Sequence, residues 1–250
     1  MDKWNEPKGP IPHWLDAADE VTRDDPKLGK SEFIVACVDA LLALGCSIEQ
    51  ACGVTANALN ETGWGQFYRA NNLGGWKLTK AGAEAFRAVT GHGPMWWRAP
   101  GNMAPGATLA DYAGGDPPWC YYRAFLSIGD FLGEWLAHFV PTPGLPAPYA
   151  IYKACGEAFW HGEPWFPLLV AAGYKGENTR KHPDNAIAEH AQLRHAAATR
   201  WGQTVLRVPA DGQWGTISKT ACAVYQRAHG LAVTGELDLP TLAALAAEHP

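Results

Sequence analysis

Glu61 is the residue whose type and setting most clearly point to chemistry. It lies in Asn57-Ala-Leu-Asn-Glu61-Thr-Gly-Trp-Gly65, followed closely by Asn71-Asn-Leu-Gly-Gly-Trp-Lys77. Ser47-Ile-Glu-Gln50 has the spacing of a capping box, which starts a helix by satisfying its orphan amide donors. In that helix Val54, Ala58 and Glu61 share a face, because steps of four and three keep side chains aligned. Gly63 and Gly65 end it, since glycine accepts left-handed turns. A carboxyl group is thus expected on the last turn of an apolar face, near Trp64 and Trp76. Apolar surroundings disfavour the charged form of a carboxyl group, and a proton donor to a glycosidic oxygen needs that property. The plain alternative is a solvated glutamate at a helix end.

The wider pattern resembles glycoside hydrolase family 73. Its members are peptidoglycan-cleaving N-acetylglucosaminidases of lysozyme-like fold, including bacterial autolysins and the hydrolase domains of flagellar rod proteins. The resemblance rests on Glu-Thr-Gly-Trp-Gly, preceded by Ala-x-x and followed by Asn-Asn-Leu-x-Gly-x-Lys. It implies that Glu61 is the catalytic acid and that Trp64, Asn72 and Trp76 line the glycan groove. Gly74-Gly75-Trp76 departs from the usual Phe-Gly-Ile and moves the aromatic ring by two positions. Tyr122-Arg-Ala-Phe-Leu-Ser127-Ile-Gly-Asp130 resembles the family's Phe-Arg-x-Tyr-x-Ser-x-x-Glu. Arg123 reads there as a structural residue that orients a loop or pairs with a carboxylate. Gly173-Tyr174 resembles the segment whose tyrosine lines the active site, although Lys175-Gly176 replaces Ala-Thr. For a second carboxylate Asp111 is the first candidate, with Asp116 and Glu84 as alternatives; an Asp used for turn chemistry is the competing reading.

These residues need positioning elements. Residues 31–45 read as an apolar helix closed by Gly45, the buried partner of the Glu61 helix. Residues 77–119 are rich in Gly and Pro and read as a loop-like lobe with short or irregular strands. Ser127 and Asp130 start a further helix as N-cap and first-turn acid, with Phe131, Trp135 and Phe139 as its buried stripe. Pro141–Pro148 looks like a linker, yet Phe159-Trp160 and Trp165-Phe166 beyond it still require a core. The polar run from Lys175 to Asp184 is the better boundary. After it, Asp211-Gly-Gln-Trp-Gly215, Thr220, Tyr225-Gln226, Gly230-Leu231, Thr234-Gly235 and Thr241-Leu242 resemble the small three-helix peptidoglycan-binding module of wall hydrolases. Trp214, Tyr225, Leu231 and Leu242 are its expected core, and no internal repeat is evident.

Composition narrows the classes. Of 250 residues 47% are hydrophobic and 18% charged, a core-forming balance. Twelve Trp favour a carbohydrate groove, and a net charge of -5 argues against a nucleic-acid partner. No apolar run reaches membrane-spanning length. Met1-Asp-Lys-Trp-Asn-Glu lacks a signal-peptide layout, which suggests a phage endolysin or a secreted or injected effector. Six Cys without CxxC pairs, and no HExxH, argue against zinc. A Cys/His peptidase would need Cys120 or Cys155 as nucleophile, and neither sits in a recognisable motif.

The sequence therefore predicts a mainly α protein. An arm at 1–30 precedes a lysozyme-like domain at 31–180 with a small irregular β-lobe, and a three-helix peptidoglycan-binding module occupies 186–250. The expected activity is hydrolysis of β-1,4 bonds in bacterial peptidoglycan by a monomer without cofactor. Muramidase, lytic transglycosylase and a non-catalytic wall-binding protein are the alternatives.

Overall fold

In the computed structural model, residues 16–21, 27–74, 76, 78, 80–100, 119–144, 150–174 and 182–249 are described. They divide into two compact units, Lys27–Phe67 with Ile128–Pro250, and Met1–Pro26 with Tyr68–Ser127. The described residues as a whole are mostly helical with one small two-stranded sheet, consistent with the expected mainly α, lysozyme-like class with a small β region.

The larger unit is built around a helix that is buried almost all round. α1 (Lys30–Ala43) and α2 (Ile48–Thr62) are joined by a turn through Gly45. The capping box at the start of α2 forms as expected: Gln50 N–H donates to Ser47 Oγ and Ser47 N–H donates to Gln50 Oε1. α2 carries Ala51, Gly53, Ala56 and Ala58 between Ile48, Val54 and Leu59, so neighbours approach it closely from several sides. Trp165 packs directly over Gly53. Around it lie α4 (Ile128–Phe139), α5 (Lys153–Trp160), α6 (Phe166–Ala171) and α7 (Pro183–Val205). Phe131 and Trp135 are buried on α4 as expected, while Phe139 is half-buried.

α7, α8 (Thr216–Ala228) and α9 (Leu239–Glu248) form the C-terminal three-helix module, and it belongs to the same compact unit as α1 and α2. α7 packs along both α2 and α1. Trp201 Nε1–H donates to Asp39 Oδ1 on α1 at 3.0 Å. Ser31 Oγ–H and Arg200 Nη1–H both donate to Ala210 O, at 2.7 and 2.6 Å.

The module's centre also differs from the expectation. Trp214, Tyr225, Leu231 and Leu242 are only partly buried, and the fully enclosed residues include Trp201, Cys222, Gln203, Gln226 and Thr241. Two glutamines organise its turns in the same way. Gln203 reaches Asp211, Gly212 and Ser218, which lie eight, nine and fifteen residues further on. Gln226 reaches Thr234, Gly235 and Thr241 at the same three spacings. The module is thus a repeat of one helix–turn–helix device. The sequence hides it because Asp matches Thr and Ser matches Thr by hydrogen-bonding role rather than by identity.

The smaller unit contains α3 (Lys80–Thr90) and an antiparallel pair, β1 (Trp96–Pro100) and β2 (Trp119–Arg123), with Trp96 opposite Arg123. The short strands agree with the expected β-lobe, whereas α3 replaces part of the expected loop. Among α3 residues only Ala83 is fully buried, so little of its apolar face is covered. The N-terminal arm is tied to β1: Val21 N–H donates to Trp96 O, and the buried Trp96 indole donates to Asp16 O.

Candidate functional site

The end of α2 explains its own sequence. Thr62, fully buried, donates its hydroxyl to Ala58 O and accepts from Gly65 N–H, latching the turn onto the helix. Gly63, Trp64 and Gly65 all adopt left-handed backbone, at φ 54°, 64° and 78°. A Cβ on Gly65 would stand 2.6 Å from the Phe33 ring, so a larger residue there would displace a core aromatic. Trp64 has no such licence, because a bulky residue is rarely left-handed. Its ring is half-buried, with the Lys30 ammonium 5.5 Å above it.

Glu61 occupies the penultimate position of α2, and it is exposed although Val54 and Ala58 on the same face are buried. The apolar enclosure expected from the sequence therefore stops one turn short of the carboxylate. One turn before it, Asn57 is buried and donates Nδ2–H to the Tyr174 hydroxyl at 2.7 Å. Trp135 Nε1–H donates to the same oxygen at 3.2 Å. The Tyr174 ring lies edge-on to Trp135 and Phe139, with centroids 6.1 and 4.8 Å away. Burial first, and the negative charge of Glu61 second, push the Tyr174 hydroxyl well above the usual tyrosine range. The larger unit thus holds Glu61, Trp64 and Tyr174, and adds Asn57 and Trp135. The sequence signal for Asn57 was its place four residues before Glu61, one turn along the same face; Trp135 read only as core.

Asn72 and Trp76 belong to the smaller unit. The Asn72 amide is buried and fully engaged: it donates to Trp76 O and Arg123 O and accepts from Trp76 N–H. These bonds tie Asn72 to Trp76 and to the end of β2. Asn71 donates to Phe125 O, so the two segments of the smaller unit that carried the resemblance are bonded to each other. Trp76 is half-buried and edge-on to Phe125. Arg123 stacks over Phe86 and Phe125, in keeping with a structural role. Glu84 is exposed and faces Lys80 at 3.8 Å. Asp111 and Asp116 lie outside the described residues.

Two other features bear on the alternatives. Cys155 is free and 1% exposed, and burial raises its thiol pKa, opposite to what a nucleophilic cysteine needs. A cleft of about 320 Å³ opens in the larger unit beside Gln50, Trp165, Phe166, His190 and Arg194. It includes neither Glu61 nor Tyr174. His190 lies flat on Phe166 there, with a ring nitrogen 2.9 Å from Gly53 O, so its walls are helix-packing residues.

Among the described residues no helix is long and apolar enough to cross a membrane. Residues 199–245 match the family model of a peptidoglycan binding domain, which covers the last turns of α7, all of α8 and most of α9. No curated protein and no solved structure matched the chain.

Proposed function

We propose that this protein hydrolyses β-1,4 glycosidic bonds of peptidoglycan, with Glu61 as the general acid and the C-terminal module as its wall anchor. The module match supports cell-wall interaction and peptidoglycan as the partner. The observation that carries the catalytic reading is an exposed Glu61 on the last turn of α2, one turn beyond Asn57, which with Trp135 of α4 holds the Tyr174 hydroxyl. An acid at a groove must be reachable by substrate, and Glu61 is. Trp64, forced into a left-handed turn beside it, fits a ring kept for sugar contact, since strain of this kind clusters at ligand sites.

The anchor is part of the same compact unit as α2, so binding of the module presents α2 to the polymer without a flexible tether. Retention on an insoluble substrate raises the effective local concentration of its bonds. The family resemblance favours cleavage after N-acetylglucosamine, acting as a wall-directed lytic enzyme of endolysin or effector type. Water activated by a second carboxylate, Asp111 by preference, or the substrate's own N-acetyl group would meet the oxocarbenium-like centre.

The test is mass spectrometry of purified peptidoglycan after digestion and borohydride reduction, with Glu61→Gln as control. Reduced glucosamine ends that vanish in the variant support the reading. Reduced muramic acid ends would assign a muramidase, and anhydromuramic products a transglycosylase. Wall binding without new sugar ends would place the protein among non-catalytic wall binders.

A further inference from the structure

We propose that the turn after α2 is a subsite for an acidic sugar, with Phe67 stacking on the sugar face and Lys30 pairing with the carboxylate that the sugar carries. The proposal rests on the reading of Glu61 as the reacting site and names the substrate feature recognised beside it. Neither Lys30 nor Phe67 belongs to the motifs that carry the family resemblance.

Phe67 is 76% exposed, the most open of the large apolar side chains described in the larger unit. A lone exposed ring needs no explanation, but this one is held in place by the turn. Its N–H donates to Thr62 O at 2.8 Å, as does that of Gln66 at 3.0 Å, so Phe67 is tied to the residue next to Glu61. Gly63 seats the ring, since a Cβ there would stand 2.7 Å from Phe67 Cδ2. Glycine at 63 thus serves both its left-handed φ of 54° and the ring laid against it. A ring that is fixed yet open loses little freedom when a sugar face covers it, which favours binding.

Lys30 supplies the charge. It opens α1, and its ammonium lies 5.5 Å over the ring of Trp64. A cation in the first turn opposes the helix dipole, so α1 gains nothing from it. The acid that suits this turn, Glu32, is used in capping, where it accepts from Gly29 N–H at 2.8 Å. Among the described residues Lys30 forms no ion pair, and it is exposed, so its charge is open to a ligand. Cation–π attraction to Trp64 holds the ammonium at the turn that follows Glu61. A carboxylate on a sugar placed there gains a Coulomb attraction that a neutral sugar lacks. In peptidoglycan every second sugar carries a lactyl arm. The arm ends in a carboxylate on bare strands, and in a carboxylate-bearing peptide stem elsewhere. Both offer Lys30 the same chemistry, and an N-acetylglucosamine oligomer offers none.

The test uses the full chain in the Glu61→Gln background, so that added glycan is not consumed. Indole ¹⁵N NMR follows Trp64, its signal assigned with Trp64→Phe, so binding at the C-terminal module does not enter the readout. The probes are a bare tetrasaccharide of alternating N-acetylglucosamine and N-acetylmuramic acid, the same tetrasaccharide with peptide stems, and the neutral N-acetylglucosamine tetramer. The Trp64 signal should move with each, and at least one acidic probe should bind more tightly than the tetramer. Preference for the bare probe assigns the lactyl carboxylate, and preference for the stemmed one assigns the peptide's. Phe67→Ala should weaken all probes about tenfold, and Phe67→Tyr should bind like the parent. Lys30→Met should weaken the preferred acidic probe about 2- to 5-fold, leave the tetramer unchanged and so erase the preference, as added salt does in the parent. Each variant is checked by thermal melting. If Phe67→Ala fails to fold, Phe67→Leu, apolar but without a flat face, takes its place.

A Trp64 signal that never moves, parent-like binding by the Phe67 variant without a ring, or equal effects of Lys30→Met on acidic and neutral probes would overturn the proposal. If Glu61→Gln proves as lytic as wild type, the catalytic reading fails and these titrations still decide the subsite. A silent Trp64 beside an inactive Glu61→Gln removes the subsite alone.

Discussion

Two turns in the larger unit are built on opposite principles. In the C-terminal module each turn is organised by a buried glutamine, and its conspicuous residues are consumed in folding. Gln226 donates to Thr234 Oγ1, Glu236 O and Thr241 Oγ1, and accepts from the N–H groups of Thr234 and Gly235. After α2, by contrast, the chain places a tryptophan in left-handed backbone between two glycines. A glycine at 64 would make that turn without the ~1–2 kcal/mol that a side chain costs there. The module therefore matches a family model over 199–245, where its fold dictates its residues. The end of α2 keeps residues that its fold does not dictate, and function is to be sought there.

The largest predicted effect breaks the comparison if it fails. Glu61→Gln should lower glycan cleavage by about 10²–10⁴-fold, as loss of a general acid does, while the melting temperature and wall binding stay unchanged. An exposed carboxylate at a helix end has little folding role to lose. Gly65→Ala comes next and acts the other way. It combines a strained φ with a methyl 2.6 Å from the Phe33 ring, and should cost about 2–4 kcal/mol in denaturant unfolding. Gln226→Ala should cost about 2–3 kcal/mol by stranding several buried polar groups, and at temperatures where it remains folded its rate of glycan cleavage should match wild type. A Gln226 variant that stays stable would mean that the module's turns do not depend on their glutamines.

How much of this was legible before the structure depends on where the controlling force lies. Local chemistry was readable: Ser47 with Gln50 starts α2, Gly63 and Gly65 end it, and Gly45 closes α1. The helix α3 was not readable, because among its residues only Ala83 is fully buried and the rest of the helix is covered little by the fold. The module's true centre escaped for a different reason. Hydrophobicity points to Trp214 and Tyr225, yet Gln203 and Gln226 are buried because each satisfies its whole amide. The structural bonds of Asn72 were hidden in the same way, since its amide meets three backbone groups that only the fold brings near it. For the site, Glu61 and Tyr174 stood out singly. What joins them is Asn57, and only the fold brings α2 and the turn after α6 together.

The smallest effect tests whether the module's caps are as independent of chemistry as its glutamines. Asp238 is the N-cap of α9 and accepts from Thr241 N–H and Thr241 Oγ–H, at 3.0 and 2.6 Å. Those bonds, the Thr241 hydroxyl first, hold its carboxyl below the usual carboxylate range. A carboxyl whose folded pKa is depressed stabilises fully above its unfolded pKa and loses that stabilisation as pH falls through the folded value. Asp238→Ala should therefore cost about 1 kcal/mol at neutral pH, the usual worth of an N-cap, and progressively less in acid. Asp238→Asn supplies an uncharged cap of equal quality and should match wild type at neutral pH while resisting the acid loss. Urea unfolding of the three proteins across the acid range checks this. A wild-type curve parallel to that of Asp238→Asn throughout would show that the Thr241 bonds do not depend on charge.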